Sequence, residues 1–255
     1  MKRSSCEHFL LQPSGCRALY TMALLVLGTG YLFAMIQTFH VHAGRDGKPG
    51  LSHTDLRFAY SGSQEDTRLE AALKGSMSGM IRSEDAVVMV DWVRSGAKED
   101  KFEEKVVPLL QAHCSSCHGE ESQIRIANPH IPNLGTYQDV MKMVQLDTGA
   151  DVFTLVRVSH IHMFGMTFIF FIMGSIFLHV QMKVQWLKCL IIIFPFAAIM
   201  VDIFSWYITK LFQPFSWVVY ISGILMALCF AIQWFTSMYQ LWFYKLPPEL
   251  METET

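Results

Sequence analysis

The pentapeptide Cys114-Ser115-Ser116-Cys117-His118 contains two thiols three positions apart and an imidazole directly after the second thiol. Covalent haem attachment needs these groups, because the thiols form thioether bonds with the haem vinyl groups and a histidine nitrogen binds the iron. A disulfide, half of a zinc site and a thioredoxin-like redox pair are the alternatives. The sequence has no second Cys or His pair at matching spacing and no βαβ pattern around the motif. We therefore predict one covalent haem c, with His118 as the proximal ligand of its iron.

The remaining sequence is dominated by apolar segments, with 52% hydrophobic and 16% charged residues. Four apolar runs are long enough to cross a bilayer, at residues 18–39, 154–180, 187–212 and 215–242. We predict an all-α fold with four transmembrane helices and a small helical extracytoplasmic domain. In chain order, the predicted parts are a cytoplasmic tail (1–17), a transmembrane helix (18–39), the haem c domain (40–153), three transmembrane helices (154–246) and a second cytoplasmic tail (247–255).

The basic residues next to the apolar runs predict the orientation in the membrane. When the chain crosses four times, one side of the membrane receives Lys2, Arg3, Arg17, Lys183, Lys188 and Lys245. The positive-inside tendency makes this side cytoplasmic. We predict a multi-pass protein of a bacterial inner membrane, with both termini cytoplasmic and the haem domain on the periplasmic side. The first apolar run is too long for a signal peptide and lacks a cleavage site, which favours a retained anchor.

Residues 40–153 are predicted to form one small exported domain. Cys114 and Cys117 are its only cysteines, so an oxidising compartment holds no further thiol. The segment carries 12 Lys and Arg against 17 Asp and Glu. This excess of negative charge argues against nucleic acid as a binding partner and favours a docking partner with a positively charged surface. The length of this segment is sufficient for one small hydrophobic core around one haem.

Turn residues and apolar periodicity divide the exported domain into short elements. Ser83 is predicted to cap a helix whose first turn contains Glu84 and Asp85 and which ends at Gly96. Its predicted buried face comprises Ala86, Met89, Val90 and Val93. The other predicted elements are a loop at 40–50, a helix at 67–75, a loop at 75–80 and a helix at 106–112.

Two stretches resemble class I cytochrome c domains. Residues 105–119, KVVPLLQAHCSSCHG, are similar to the opening helix and haem motif of that family. Residues 67–97, TRLEAALKGSMSGMIRSEDAVVMVDWVRSGA, are similar to its closing part, where a Gly-x-Met loop precedes the last helix. Because the closing part comes first, the domain resembles a circularly permuted cytochrome c over roughly residues 61–137. Permutation costs little when the joined ends are already neighbours.

The resemblance implies a distal iron ligand from the Gly-x-Met loop. Met77 fits better than Met80, because six residues separate it from Ser83, although Ser78 stands where the family usually has proline. Both methionines can instead be core fillers. Histidine is the competing ligand type, with His113, His130, His160 and His162 as alternatives. The choice matters because a Met ligand raises the reduction potential relative to two His ligands.

Two His-x-His pairs lie at the predicted outer surface of the membrane. His40 and His42 close the first span, and His160 and His162 open the second. If these spans are neighbours, the four imidazoles can bind a second haem or a metal ion. Individual hydrogen-bonding or packing roles are the simpler interpretation, since residues i and i+2 of a helix point in different directions.

Asp202 is the only acidic residue in any predicted span. A carboxyl group at that depth is costly unless it is neutral or paired. Arg157, His160 or His162 is the predicted structural partner. The alternative is a proton acceptor at a quinol site, with Trp206 and Tyr207 against the ring and the haem as electron acceptor.

We therefore expect an electron carrier rather than a catalyst with its own substrate. One haem c cycles between Fe(II) and Fe(III) and exchanges electrons with soluble or membrane-bound partners. Three further spans exceed what an anchor requires, which favours packing against other subunits of a respiratory or other redox complex. The alternatives are a quinol-oxidising module that uses Asp202, and a structural subunit in which the haem is dispensable.

Overall fold

The computed structural model describes residues 8–129 and 131–245, and all regular elements in these two ranges are helices. An isolated antiparallel bridge joins Thr67 and Leu146. The predicted all-α class is therefore confirmed. Two short 3-10 helices lie at Phe9–Leu11 and Gln213–Phe215. The other helices in chain order are α1 (Ser14–His42), α2 (His53–Ser61), α3 (Arg68–Lys74), α4 (Ser83–Arg94), α5 (Glu99–Lys101), a π turn (Phe102–Val106), α6 (Val107–His113), α7 (Ser115–His118), α8 (Gln123–Ala127), α9 (Tyr137–Met143), α10 (Val152–Phe177), α11 (Gln185–Leu211) and α12 (Ser216–Trp242).

Helices α1, α10, α11 and α12 are long and apolar enough to cross a membrane, and no other helix of the described residues is. The prediction of four membrane-spanning helices is confirmed, and the chain is a multi-pass membrane protein. Helix α1 continues through His42, so the loop predicted at 40–50 is wrong over its first three residues. The helix persists because the first glycine after the span is Gly44, whose φ of 78° no longer fits a helix.

The chain divides into two compact units. Among the described residues, the membrane unit comprises 8–41, 152–208 and 214–245, and the intervening unit comprises 42–129, 131–151 and 209–213.

Close contacts attach α1 to α12 within the membrane unit. The Trp234 indole donates a hydrogen bond from Nε1 to the Leu24 carbonyl at 2.7 Å. Gly28 permits this approach, because a Cβ at that position would lie 2.6 Å from Trp234 Nε1. Tyr31 and Phe230 stack with their ring centroids 4.0 Å apart. The absence of a side chain at Gly28 is therefore what allows the indole to reach the backbone of α1.

Pro195 lies inside α11 and has no N–H to donate to the Ile191 carbonyl four residues earlier. Buried Gln233 of α12 donates from Nε2 to that carbonyl at 2.8 Å. An unsatisfied carbonyl is costly in a bilayer, because no water is there to donate a hydrogen bond to it. The glutamine therefore compensates for the proline.

Lys188 is predicted, with Lys183, to lie in the short loop between the second and third apolar runs, but it belongs to helix α11. It lies in the first turn of α11 with its side chain buried. Its ammonium group donates to the carbonyls of Leu178 at 2.6 Å and Val180 at 2.8 Å. These carbonyls follow the end of α10, where helices leave backbone acceptors without intrahelical partners. The loop placement is wrong because a count of charges does not show a capping role, and the cytoplasmic side stays a prediction.

A hydrophobic core within the intervening unit joins the segment at 67–97 to the segment at 102–113 and to α9. Met89 and Trp92 of α4 are almost fully buried there, with Phe102 and Val106 of the π turn. The rings of Trp92 and Phe102 lie 5.6 Å apart. Helix α4 therefore packs against the stretch that leads into the Cys-Ser-Ser-Cys-His motif.

The start of α4 differs from the prediction. Ser83 is the first helical residue, and Arg82, with extended φ and ψ, is the N-cap without a side-chain capping bond. The Arg82 carbonyl accepts the first helical bond, from Ala86 N. Arg82 is favoured in this position because its Nε donates to Asp85 Oδ2 at 2.9 Å within the same turn.

Candidate functional site

Cys114, Cys117 and His118 lie within one helical turn. Cys114 separates α6 from α7, and its carbonyl accepts hydrogen bonds from Cys117 N at 3.1 Å and His118 N at 2.8 Å. Both cysteines are free thiols of intermediate exposure. The short turn thus keeps two unpaired thiols and an imidazole together, as the motif predicts.

A backbone carbonyl orients the imidazole of His118. His118 Nδ1 donates to the Pro132 carbonyl at 2.9 Å, and Leu134 N donates to the His118 carbonyl at 2.9 Å. Because Nδ1 carries the proton in this bond, the lone pair lies on Nε2, the nitrogen that faces away from the donor bond. Metal-binding histidines characteristically have this arrangement. The residue types and their hydrogen bonds therefore fit an iron ligand.

The Cys114 thiol differs from the reactive thiol of a redox-active pair. Burial raises the pKa of the Cys114 thiol, and the neighbouring Cys117 raises it further. Disulfide oxidoreductases instead lower the pKa of their reactive cysteine. The raised pKa of Cys114 therefore weighs against the thioredoxin-like alternative.

A cavity of about 80 Å³ lies beside the motif. Val107, Leu110 and Leu134 supply apolar walls, and His118 borders it. Sites for drug-sized ligands usually measure about 300–1,000 Å³, so the cavity is smaller than a whole porphyrin requires. The fit to haem c therefore depends on the two thiols and the oriented imidazole, and the cavity contributes an apolar surface next to them.

His113, one of the alternative distal ligands, is hydrogen bonded elsewhere. Its Nε2 donates to Asp85 Oδ2 at 2.9 Å, the same oxygen that Arg82 contacts. The His113 bond, with help from Arg82, holds the pKa of the Asp85 carboxyl below its usual value. This hydrogen bond connects the end of α6 to the first turn of α4 and thus supports the start of the motif.

The two candidate methionines lie in the turn between α3 and α4. Met77 N donates to the Ala72 carbonyl at 2.8 Å, and Met80 N donates to the Met77 carbonyl at 3.0 Å. Met77 is 37% exposed and Met80 is 72% exposed. Met77 is the less exposed of the two, and the identity of the distal ligand stays a prediction. His130 lies outside the described residues.

The outer histidines occupy helices in different environments. His40, His160 and His162 are exposed on α1 and α10 of the membrane unit, and His42 belongs to the intervening unit. His162 Nδ1 donates to the Val158 carbonyl at 2.9 Å, and its ring meets the Trp206 ring edge-on at 5.4 Å. These contacts give His162 an individual structural role, and the four-histidine site stays a prediction.

Asp202 is buried between α11 and α12. Its Oδ1 accepts a hydrogen bond from Ser222 Oγ at 2.7 Å, and the Trp206 side chain is a further hydrogen-bond partner. The carboxyl group is thus paired with these side chains rather than with the predicted Arg157, His160 or His162. Tyr207 Oη and Ser159 Oγ form a separate bond at 2.9 Å. Sequence reasoning missed Ser222, because helix packing decides which of many serines meets the carboxylate.

Comparison with known proteins agrees with the architecture of the C-terminal part. A family model described as a transmembrane helical domain matches residues 151–248, which include α10, α11 and α12. Searches of curated proteins and of solved structures give no match. The family match thus supports a membrane protein, and the chemistry of the intervening unit must be inferred from its own residues.

Proposed function

We propose that this protein is a membrane-bound c-type cytochrome that transfers electrons through one covalently attached haem. The main support is the geometry of His118, whose Nδ1 is tied to the Pro132 carbonyl while two free thiols lie in the same turn. A helical core that joins the segments at 67–97 and 102–113 also supports the resemblance to a permuted class I cytochrome c.

Each residue of the site has a distinct role in this proposal. Cys114 and Cys117 hold the prosthetic group, and His118 binds its iron through Nε2. The bound group supplies reversible one-electron chemistry. Pro132 fixes the imidazole, and Met77 completes the iron coordination and raises the potential relative to a second histidine. Leu110 and Leu134 keep water from one side of the site.

The proposal includes a location and a class of partner. The haem domain lies on the periplasmic side of a bacterial inner membrane, and both termini are cytoplasmic. The membrane helices pack against other subunits of a redox complex, which receives or supplies the electrons. Supporting this, α10 exposes a row of large aromatic side chains at Phe164, Phe168 and Phe171. Such surfaces suit lipid or neighbouring helices.

Cysteine substitutions test the attachment. In a host that attaches haem c, Cys114→Ala and Cys117→Ala together should abolish covalent haem, because both thioether bonds are lost. Cys189→Ala and Cys229→Ala are matched controls, since these thiols lie in membrane helices, and they should retain it. Haem staining of the denatured protein, with the reduced-minus-oxidised spectrum, measures the outcome. Covalent haem in the double variant, or none in the wild type, would contradict the proposal.

A second pair of variants tests the distal ligand. Met77→Leu preserves size and apolarity but removes the sulfur, so it should lower the reduction potential and change the ferric spectrum. Met80→Leu, in the same turn, should leave both unchanged. A change confined to Met80→Leu would assign the ligand to Met80, and no change in either variant would favour a histidine.

A further inference from the structure

The short segment before the first membrane helix, residues 8–13, is docked against the membrane unit. It contains the first 3-10 helix and leads directly into α1. His8 is 4% exposed and Phe9 is fully buried. The Phe9 ring lies 5.8 Å from the ring of Tyr20 in α1 and 5.6 Å from that of His179, which follows α10. The segment is thus held at the end of the membrane unit where α1 begins.

Gln240 of α12 determines the role of one nitrogen of His8. The Gln240 Oε1 accepts from Gln181 N at 2.7 Å, and its Nε2 donates to the Gln181 carbonyl at 2.9 Å. Because both partners are backbone groups, the orientation of the Gln240 amide is fixed. The same Oε1 lies 3.1 Å from His8 Nε2. His8 Nε2 therefore carries a proton and donates a hydrogen bond to Gln240.

The second nitrogen of His8 is an acceptor. Leu10 N donates to His8 Nδ1 at 3.2 Å and thereby caps the 3-10 helix. Since a backbone N–H is always a donor, this bond requires a lone pair on Nδ1. The two contacts together specify a neutral imidazole with its proton on Nε2. A protonated ring carries N–H donors on both nitrogens, and its Nδ1–H would face the Leu10 N–H.

The groups around His8 also oppose its protonation. Among the described residues, those that act on its charge are His179, Arg17 of α1 and Lys188 of α11, and none of them is a carboxylate. The ring of Tyr244, which follows α12, lies 5.4 Å from the His8 ring. Burial and the neighbouring cations lower the pKa of His8 from its usual 6.5, although the bond with the α12 glutamine acts in the opposite direction. The docked segment thus favours the neutral ring.

His179, the other histidine at this end of the membrane unit, differs in its response to a proton. Its Nδ1 accepts from Gln12 Nε2 at 3.0 Å. Gln12 Oε1 is buried and has no hydrogen-bond partner among the described residues. A reversed Gln12 amide would present this oxygen to a protonated Nδ1, so the contact survives protonation. The bond from Leu10 N to His8 does not, which makes His8 the sensitive group.

We propose that residues 8–13 form a pH-sensitive latch, which stays docked while His8 is neutral and is released when His8 is protonated. The latch is independent of the proposed function and involves no prosthetic group. A base whose pKa is lower in the docked state than in the free segment favours the free segment in acid. Release therefore begins as the pH falls below 6.5, the value of an unburied histidine. A ring that stays neutral while docked raises the released fraction by up to about tenfold between about pH 7.5 and about pH 5.5.

Hydrogen exchange of the full chain in lipid nanodiscs, corrected for the intrinsic pH dependence of exchange, measures the release. Two amides report on the docked segment, because Leu11 N donates to the His8 carbonyl at 3.0 Å and Gln12 N donates to the Phe9 carbonyl at 3.2 Å. Their protection should fall about tenfold from about pH 7.5 to about pH 5.5. Protection in the middle of α12 should not change. A constant protection of the segment, or an equal fall in α12, would overturn the proposal.

His8→Asn separates the titration of His8 from other effects of acid. Asparagine is a preferred N-cap residue, so it keeps an acceptor for Leu10 N, but it does not titrate. Loss of the bond to Gln240 should lower the protection at about pH 7.5, and the remaining protection should not depend on pH. The control His53→Gln removes an imidazole of the intervening unit and should retain the wild-type fall. A fall of wild-type size in His8→Asn would overturn the proposal.

Titration of the wild-type ring provides a measurement that requires no variant to dock. The ring signals of His8 in a nuclear magnetic resonance spectrum are identified by their absence in His8→Asn. In the docked chain, His8 should titrate below pH 6.5, over the same range in which the amides of its segment lose protection. A His8 ring that titrates at or above that value while the segment stays protected would overturn the proposal.

Discussion

At the scale of single residues, the described polar side chains form hydrogen bonds with backbone groups more often than with one another. His118 depends on the carbonyl of Pro132, fourteen residues further along the chain. The motif predicts that the imidazole lies near the two thiols, because the three residues are close in sequence. The partner is not predictable, since Pro132 lies in an irregular segment without periodicity, and only tertiary structure brings its carbonyl to the ring.

Glu70 shows how one carboxylate stabilises two helices of the intervening unit. Its Oε2 accepts from Thr67 N at 2.8 Å in a capping box at the start of α3, and its Oε1 accepts from Arg94 of α4 at 2.8 Å. Burial alone would raise the pKa of Glu70. The bonds from Thr67 and Arg94 outweigh that effect and hold its pKa below the usual 4.5.

Glu70→Gln should therefore destabilise the intervening unit in a pH-dependent way. At pH 7 we expect a loss of about 1 kcal/mol, a modest value because Arg94 is largely exposed. A carboxyl with a depressed pKa stabilises the fold above its unfolded pKa, and this contribution disappears as the pH falls through the folded value. Hydrogen exchange of the α3 amides in both proteins should thus differ at pH 7 and converge below pH 4.5. A difference that is constant with pH would contradict this account.

At the scale of helices, the apolar spans are predictable to within a few residues, because a run of hydrophobic side chains is a local signal. Helix α2 was missed, although Ser52 and Asp55 form a capping box that the sequence displays as Ser-x-x-Asp. Residue type favours Ser83 as the N-cap of α4. The backbone angles instead make Arg82 the N-cap. Helix starts thus depend on backbone conformation that residue preferences only partly specify.

The pairing of Pro195 with Gln233 is testable by a double-mutant cycle. Gln233→Leu leaves the Ile191 carbonyl without a donor and should cost about 1–2 kcal/mol. Pro195→Ala restores an N–H for that carbonyl, so Gln233→Leu should cost much less in the Pro195→Ala background. Unfolding of the chain in mixed micelles by increasing SDS, followed by circular dichroism, measures each free energy. Equal costs in both backgrounds would show that the glutamine does not compensate for the proline.

The contact between α1 and α12 predicts opposite effects for two neighbouring glycines. Gly28→Ala places a methyl group against the Trp234 ring and disturbs the bond from its indole to the Leu24 carbonyl, which should destabilise the membrane unit by about 1–2 kcal/mol. Gly30 has no neighbour within 4 Å, so Gly30→Ala should be neutral or slightly stabilising. The same SDS titration compares the two. If Gly28→Ala is as stable as Gly30→Ala, the packing of α1 on α12 is not as described.

At the scale of the whole molecule, the membrane unit is more predictable from the sequence than the intervening unit. Hydropathy predicts the membrane helices, and the family match at residues 151–248 agrees with that part. The intervening unit depends on a five-residue motif and on a core that assembles distant segments. The thiol positions follow from the sequence alone. The contacts of Asp202, Lys188 and Gln233 do not, because they depend on which helices pack together.

The mass of the intact wild-type chain is the most direct test of covalent haem attachment at Cys114 and Cys117. Protein purified from a host that attaches haem c should be heavier than the polypeptide by one haem under denaturing conditions, and fragmentation should locate the added mass on residues 114–118. A chain of unmodified mass from such a host would contradict the proposed function. So would an added haem that dissociates on denaturation.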